Sequence, residues 1–236
     1  MDSLSSPLCL QLNDSIIFSV LQFFELFGHH SALITNQDGL PIENMLISDI
    51  FQNWWGEFYN NKHIICGSVV HWSLEDIDLY NFFSNNFSIV SNTIYKLDPQ
   101  IHCLLDRFRR PGMPRYEWVI IGPKGTHVRA HVDMFRTASW NLLLCGQKTW
   151  RFWLPDSKPE KNLPDFTFTQ SEGDLIWIPE DYWHSVDYDA SALCLSKNLI
   201  PLRSLSNISK AASGKIPALE PYLLALIEIW SQIDAI

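Results

Sequence analysis

The sequence predicts a mainly β fold, a jelly roll or barrel, with helical segments at both ends of the chain. Short apolar runs alternate with turn residues from about residue 88, and many short strands at this spacing are typical of jelly rolls and barrels. Both flanking regions instead carry apolar residues at helical spacing. Because no linker composition interrupts the chain, we predict one domain over 1–236, with a helix-rich part (1–87), a barrel core (88–200) and a C-terminal helical segment (201–236).

The N-terminal part is predicted to be mainly helical up to residue 60. Residues 16–27 are apolar with polar breaks, and residues 47–59 carry aromatic side chains at helical spacing. A short strand is predicted over 62–70. A helix over 77–83 is predicted to follow the capping sequence Ser73-Leu74-Glu75-Asp76.

Seven strands are predicted in the barrel core, punctuated by turn residues. They lie over 91–97, 116–121, 128–134, 140–144, 149–154, 174–178 and 191–200. The C-terminal helix is clearest over 217–230. Its amphipathic pattern makes it a candidate homodimer interface, and packing against its own barrel is the alternative.

The composition argues against several classes of protein. Hydrophobic residues make up 47% of the 236 residues and aromatic residues 13%, so the chain can bury a large core. The formal net charge is −9, and we interpret the one short basic run, 107–110, as a solvated loop. No nucleic-acid partner is therefore expected, since binding phosphates needs a basic face.

Cysteine usage and apolar runs indicate the compartment. The five cysteines are scattered, and none forms a Cys-x-x-Cys pair: Cys9, Cys66, Cys103, Cys145 and Cys194. This pattern favours free thiols in a reducing compartment over disulfides or a zinc finger. The sequence has no recognisable leader and no apolar run of about 20 residues. We expect a cytoplasmic protein without membrane contact.

The most informative motif is His131-Val132-Asp133, followed 53 residues later by His184. On a β-strand, residues at i and i+2 point to the same face, so His131 and Asp133 can bind one metal ion. His184 can complete the set from a neighbouring strand. Two histidines and one carboxylate are the ligands of non-haem Fe(II) oxygenases. A His-x-Asp motif alone is a weak signal, and an exposed loop position for His184 is the alternative.

Further motifs around the triad strengthen this interpretation. They are Tyr116-Glu117-Trp118-Val119-Ile120-Ile121-Gly122-Pro123, Thr137-Ala138-Ser139-Trp140-Asn141, Gly146-Gln147-Lys148-Thr149-Trp150, Leu154-Pro155, Glu172-Gly173-Asp174-Leu175-Ile176-Trp177-Ile178-Pro179 and Tyr182-Trp183-His184. With these motifs the chain resembles the JmjC (jumonji-C) branch of the Fe(II)/2-oxoglutarate oxygenases. It most resembles the lysyl-hydroxylase type once called the phosphatidylserine receptor. The resemblance covers roughly residues 95–200 and the N-terminal helices loosely.

The resemblance implies a double-stranded β-helix of the cupin/JmjC type, in which His131, Asp133 and His184 are the catalytic metal ligands. It also implies that Lys148 pairs with the distal carboxylate of 2-oxoglutarate. A lysine inside a barrel is costly without an anion, so a buried Lys148 would itself indicate such a ligand. The alternative is that Lys148 points to solvent.

Four more residues are candidate cosubstrate contacts. Asn141 can hydrogen-bond near the metal-bound end, and the resemblance places Ser196 and Asn198 near the cosubstrate on the last strand. The alternative is that these three are ordinary strand residues. The family often has Thr or Ser three residues before the first ligand; this chain has Val128 there, and Thr126 is the candidate that compensates.

Neither the upstream tyrosine of the family nor the direction of two side chains before His131 follows from the motifs above. The family's upstream tyrosine has no counterpart near 70–74, where His71 and Trp72 stand instead. On a regular strand, His127 and Arg129 share the parity of His131 and would face the same cavity. His127 is then an additional metal ligand or, more in keeping with the pattern, a surface or substrate-side residue, and Arg129 can pair with a carboxylate or a nearby acid.

The resemblance implies an oxygenase that uses Fe(II), 2-oxoglutarate and O2. The expected reaction is hydroxylation of an amino-acid side chain in a peptide, a protein or a free metabolite. Two alternatives stay open. One is an inactive JmjC or cupin binding module, and the other is a metal-dependent cupin enzyme that does not use 2-oxoglutarate.

Overall fold

The computed structural model describes residues 4–12, 18–36, 41–55, 69–73, 77–98, 101, 116–133 and 136–201. Within these ranges the chain forms helices α1 (Val20–Phe27), α2 (Ile47–Trp55) and α3 (Ile77–Leu97). The strands are β1 (Leu8–Gln11), β2 (Ser31–Thr35), β3 (Pro41–Leu46), β4 (Val69–Ser73), β5 (Glu117–Gly122), β6 (His127–His131), β7 (Ala138–Cys145), β8 (Lys148–Trp153), β9 (Phe166–Gln170), β10 (Asp174–Ile178), β11 (Trp183–Tyr188) and β12 (Ala192–Leu199).

The strands form two antiparallel sheets. The larger sheet has the order β1-β10-β7-β12-β5-β4-β2-β3, and the smaller sheet has the order β6-β11-β8-β9. From β5 onward, consecutive strands alternate between the two sheets except at β8 and β9, which are neighbours in the smaller sheet. This two-sheet arrangement is a jelly roll, which confirms the predicted fold class.

Each sheet contributes one face to the space between them. On β7, Trp140, Leu142 and Leu144 pack in an outer hydrophobic core with α1 and α3, whereas Leu143 belongs to an inner core with residues of β8 and β11. The period of two along β7 explains this division. On β12 the same alternation places Leu193, Leu195 and Leu199 in the outer core and Cys194 in the inner core between the two sheets. The polar residues of the same inward parity therefore face the interior of the jelly roll.

The N-terminal half departs from the prediction in two ways. The expected strand over 91–97 is wrong, because these residues complete helix α3. Buried residues recur at helical spacing along it: Leu79, Phe83, Phe87, Val90 and Ile94. The helix therefore runs past the predicted boundary at residue 88. In addition, strands β1 to β3 come from the part expected to be mainly helical, although α1 and α2 do lie within 16–27 and 47–59. The strand predicted over 62–70 overlaps β4 at residues 69 and 70, and its residues 62–68 lie outside the described residues.

In the core, β5 to β8, β10 and β12 confirm predicted strands, whereas β9 lies where no strand was predicted. Several other predictions lie outside the described residues: the basic run 107–110, Cys66 and Cys103, residues 74–76 of the capping sequence, and the C-terminal helix over 217–230.

Among the helices described, none is long and apolar enough to cross a membrane.

A tight turn at Gly146 joins β7 to β8 and so fixes where Lys148 begins its strand. Gly146 has a φ of 98°, and a Cβ there would lie 2.3 Å from the Ser191 carbonyl oxygen. Both the backbone conformation and the lack of space therefore require glycine.

We predict that Gly146→Ala lowers the free energy of unfolding by roughly 1–3 kcal/mol more than Gly173→Ala does. Gly173 is the matched control because its φ is 81° but no atom lies within 4 Å of a Cβ there. Urea denaturation of the three proteins measures the difference. Equal losses in both variants would mean that the contact with Ser191 contributes nothing.

Candidate metal centre and cosubstrate cavity

The three predicted metal ligands meet on the inner face of the smaller sheet. His131 on β6 lies directly opposite His184 on β11, and their ring centroids are 4.3 Å apart. His184 Nε2 lies 3.9 Å from Asp133 Oδ1. One potential ligand atom from each of the three residues lies within 4.8 Å of the others. Two imidazoles and a carboxylate so arranged fit an Fe(II) or similar divalent ion.

Hydrogen bonds orient each of these side chains. His131 Nδ1 donates to the Arg129 carbonyl oxygen at 2.8 Å, and His184 Nδ1 donates to that of Tyr182 at 3.3 Å. A carbonyl oxygen can only accept, so Nδ1 carries the proton and Nε2 keeps its lone pair for a metal. The Ser139 hydroxyl donates to Asp133 Oδ2.

Burial, together with the neighbouring His131, lowers the pKa of His184 to about 4. The His184 imidazole is only 3% exposed, and a charged imidazolium there would be poorly solvated. At neutral pH the ring is therefore uncharged, which is the form that binds a metal ion.

A cavity of about 250 Å³ extends from the triad into the jelly roll. Four predicted cosubstrate contacts line it, namely Asn141, Lys148, Ser196 and Asn198. They come from β7, β8 and β12, and each has the inward parity of its strand. Apolar side chains form much of the remaining lining: Trp118, Ile120, Val128, Trp150, Ile178 and Val186.

Lys148 is buried in this cavity with no carboxylate partner among the described residues. It is 1% exposed, and its Nζ lies 2.8 Å from Cys194 Sγ and 3.5 Å from Asn141 Oδ1. The Tyr188 ring centroid is 4.6 Å from the same nitrogen. Burial disfavours the ammonium, but Cys194 and Tyr188 favour it, and the balance raises the pKa of Lys148. Burial also raises the pKa of Tyr188 to about 12, so the phenol is neutral.

A bulge in β6 decides where His127 and Arg129 lie. His131 pairs with His184, but Val128 pairs with Val186, so β6 has one extra residue between these pairs. The bulge reverses the parity, and Val128 faces the cavity. The His127 imidazole instead lies outside, where its Nδ1 is 2.5 Å from Asp187 Oδ1. Arg129 is likewise exposed.

Thr126, the candidate that compensates for Val128, is not among the residues that line the cavity. It is 1% exposed and lies in the turn before β6, where its amide donates to the Pro123 carbonyl oxygen at 3.2 Å. Its own carbonyl accepts from the Tyr188 amide at 2.9 Å. This position gives no support for a cosubstrate contact by Thr126.

Sequence reasoning missed three residues that contact the predicted site. Ser139 bonds to Asp133, whereas Cys194 and Tyr188 contact Lys148. Strand parity was the available signal. Ser139 lies two residues before Asn141, Cys194 two before Ser196, and Tyr188 four after His184.

The jelly roll and its two-histidine, one-carboxylate centre define the class as a cupin-like protein with the ligand set of a non-haem iron oxygenase. No family model matches the chain. It is 42% identical to the 2-oxoglutarate and iron-dependent oxygenase JMJD4 of Danio rerio, over 58% of this chain and 37% of that protein. It is 41% identical to the lysine-specific demethylase JMJ21 of Arabidopsis thaliana, over 24% of this chain and 6% of that protein.

Two further comparisons are more distant. The arginine-specific demethylase JMJ22 of Arabidopsis thaliana is 24% identical over 40% of this chain and 25% of that protein. The ribosomal oxygenase YcfD of Escherichia coli, a solved structure, is 16% identical, with a TM-score of 0.49 over 85% of this chain and 50% of that chain.

The sequence similarities confirm the predicted resemblance: the chain is related to the JmjC-type 2-oxoglutarate and iron-dependent oxygenases. It spans 6% to 37% of the length of the three curated relatives named above. The finer assignment to the lysyl-hydroxylase branch stays a prediction.

We predict that His131→Ala abolishes Mn²⁺ binding and that Ser139→Ala weakens it by roughly 10- to 100-fold, because the hydroxyl orients Asp133. His127→Ala is the matched control, since this histidine lies on the same strand but outside the cavity. Calorimetric titration of the metal-free protein gives the three affinities. Wild-type affinity in His131→Ala would exclude this metal centre.

Proposed function

We propose that this chain carries the catalytic jelly roll of an Fe(II)- and 2-oxoglutarate-dependent oxygenase that hydroxylates an amino-acid side chain. One observation carries the proposal: the His131, Asp133 and His184 cluster and the buried Lys148 ammonium line a single cavity. A metal centre and an uncompensated cation in one cavity are what an anionic, metal-chelating cosubstrate requires.

The polar lining fits 2-oxoglutarate, which has a carboxylate at each end and a keto group beside one of them. In this proposal, Lys148 binds the distal carboxylate and replaces its lost hydration with a charge-assisted hydrogen bond. The other end binds the metal, held by His131, Asp133 and His184. Asn141, Ser196 and Asn198 provide the remaining polar contacts along the cavity.

When bound, Fe(II) supplies oxidative chemistry, in which the cosubstrate is decarboxylated to succinate and O2 provides the oxygen that is inserted into a C–H bond. The residues of this chain hold and orient the reactants. Both imidazoles would hold the metal through Nε2, because their Nδ1 protons are engaged with carbonyl oxygens. Apolar residues, including Val128, Ile178 and Val186, line the cavity beside the metal ligands, and such a lining would limit water around the reacting groups.

The substrate is proposed to be a side chain in a peptide or protein rather than a free metabolite. The names of two relatives refer to lysine-specific and arginine-specific demethylases, and this favours a residue of a protein as substrate. A cytoplasmic location is proposed from the free cysteines, of which Cys9, Cys145 and Cys194 lie within the described residues.

Turnover provides the direct test. Wild-type protein with Fe(II), O2 and a panel of peptides should convert 2-oxoglutarate to succinate and add the mass of one oxygen atom to its substrate. Asp133→Ala should form no succinate. A wild-type protein that binds metal and 2-oxoglutarate but never forms succinate would be the inactive binding module considered above.

We predict that Lys148→Met weakens 2-oxoglutarate binding to the Mn²⁺-loaded protein by at least about 30-fold, because removing one partner of a buried charge pair costs about 2 kcal/mol or more. Lys124→Met is the control, since Lys124 is exposed. Calorimetric titration with 2-oxoglutarate measures both affinities.

The affinity for Mn²⁺ itself should be the same in Lys148→Met and wild type. If Lys148→Met binds 2-oxoglutarate as tightly as wild type, the ammonium is not the anchor. A metal-dependent enzyme that does not use this cosubstrate then becomes the better interpretation.

A further inference from the structure

Two non-glycine residues with left-handed backbones flank the metal centre and contact each other. Arg136 has a φ of 59° and Asp181 a φ of 70°. The Arg136 guanidinium donates through Nε to Asp181 Oδ1. Arg136 follows Asp133 by three residues, and Asp181 precedes His184 by three. The contact therefore joins the segment that carries one ligand to the turn that carries another.

Each partner is also tied to its ligand through the backbone. The Arg136 amide donates to the carbonyl oxygen of Asp133 at 2.9 Å. On the other side, Asp181 precedes Tyr182, whose carbonyl oxygen accepts from His184 Nδ1 at 3.3 Å. A continuous path of bonds thus runs from Asp133 through the ion pair to His184.

Stability alone does not account for this arrangement. Left-handed conformations are unfavourable for arginine, which lacks the short polar side chain that makes them tolerable for aspartate. The Arg136 side chain is 50% exposed and that of Asp181 is 21% exposed, and ion pairs at such positions stabilise proteins only weakly. Unfavourable backbone conformations that persist beside a site indicate a functional constraint.

We propose that the Arg136–Asp181 pair is a positioning clamp that sets the separation of Asp133 and His184 and thereby the geometry of the bound metal. The inference rests on the proposed function, because it needs the metal centre. Neither residue is a metal ligand; both act through the segments that hold Asp133 and His184.

The test uses Co²⁺, whose visible absorption reports coordination geometry, on the full chain. Arg136→Gly removes the guanidinium and also relieves the left-handed strain, because glycine adopts this conformation freely. It is expected to leave the melting temperature of the metal-free protein equal to or above that of wild type. It should nevertheless weaken Co²⁺ binding by about 10-fold and change the absorption spectrum.

Matched variants separate a clamp from a general loss of charge. Arg151→Ala removes a comparable exposed contact, that of Arg151 with Asp187 on the outer face of the smaller sheet, and should keep the wild-type spectrum. Arg136→Lys should restore part of the affinity, since it keeps a cation near Asp181. Asp181→Gly should reproduce the effect of Arg136→Gly.

The outcomes distinguish the two proposals. If wild-type protein binds no Co²⁺, the metal centre and the proposed function fail together. If wild type binds Co²⁺ and Arg136→Gly binds it with the same affinity and spectrum, the clamp is wrong and the metal centre stands. A lower melting temperature with an unchanged spectrum in Arg136→Gly would likewise overturn the clamp, because the pair would then serve stability only.

Discussion

The antiparallel pairing of β6 with β11 is the constraint on which the rest of the site depends. It places His131 opposite His184, and a slip of one residue would turn either imidazole to the outer face of the sheet. On its other side β11 pairs with β8, where Tyr188 lies opposite Lys148. One strand therefore sets the register of both the metal ligands and the buried cation. The bulge in β6 changes which face the side chains point to only in the part of the strand before His131.

The larger sheet supplies the rigid support for this arrangement. Strands β7 and β12 are buried on both faces, with apolar side chains under the helices and polar side chains toward the cavity. Asn141 and Ser196 belong to the inner set, and Trp140 and Leu195 to the outer set. Changes on the outer face are expected to act through packing, whereas changes on the inner face act on the cavity. Because the polar side chains are confined to the inner face, the hydrophobic core on the outer face does not have to bury polar groups that lack hydrogen-bond partners.

Sequence reasoning reached those features that depend on local periodicity. The shared face of His131 and Asp133 was predicted from alternation along a short strand, and the inward position of Lys148 from the family resemblance. In the structure His131, Asp133 and Lys148 line one cavity. The same rule failed for His127, because a bulge cannot be recognised from alternation alone. Residues 91–97 were mistaken for a strand because seven residues are too few to separate a short apolar run from the last turns of a helix. The contact of Arg136 with Asp181 joins positions 45 residues apart and has no local signature.

Two buried lysines show how the structure separates a structural charge from one that awaits a ligand. Lys197 is 5% exposed, and its Nζ lies 3.0 Å from Oε1 of Glu117, which is its direct partner in the pairing of β12 with β5. Lys148 is buried even more completely, yet its neighbours are a thiol, an amide oxygen and a phenol ring. Unlike a carboxylate, such groups solvate a cation without bringing a stable negative charge, so a net positive charge is left in the cavity. A bound carboxylate would supply the missing charge, and the metal ligands line the same cavity as Lys148. The position of each lysine along its strand determines which face its side chain points to. Lys197 points to the outer face of its sheet, where Glu117 lies opposite, whereas Lys148 points into the cavity.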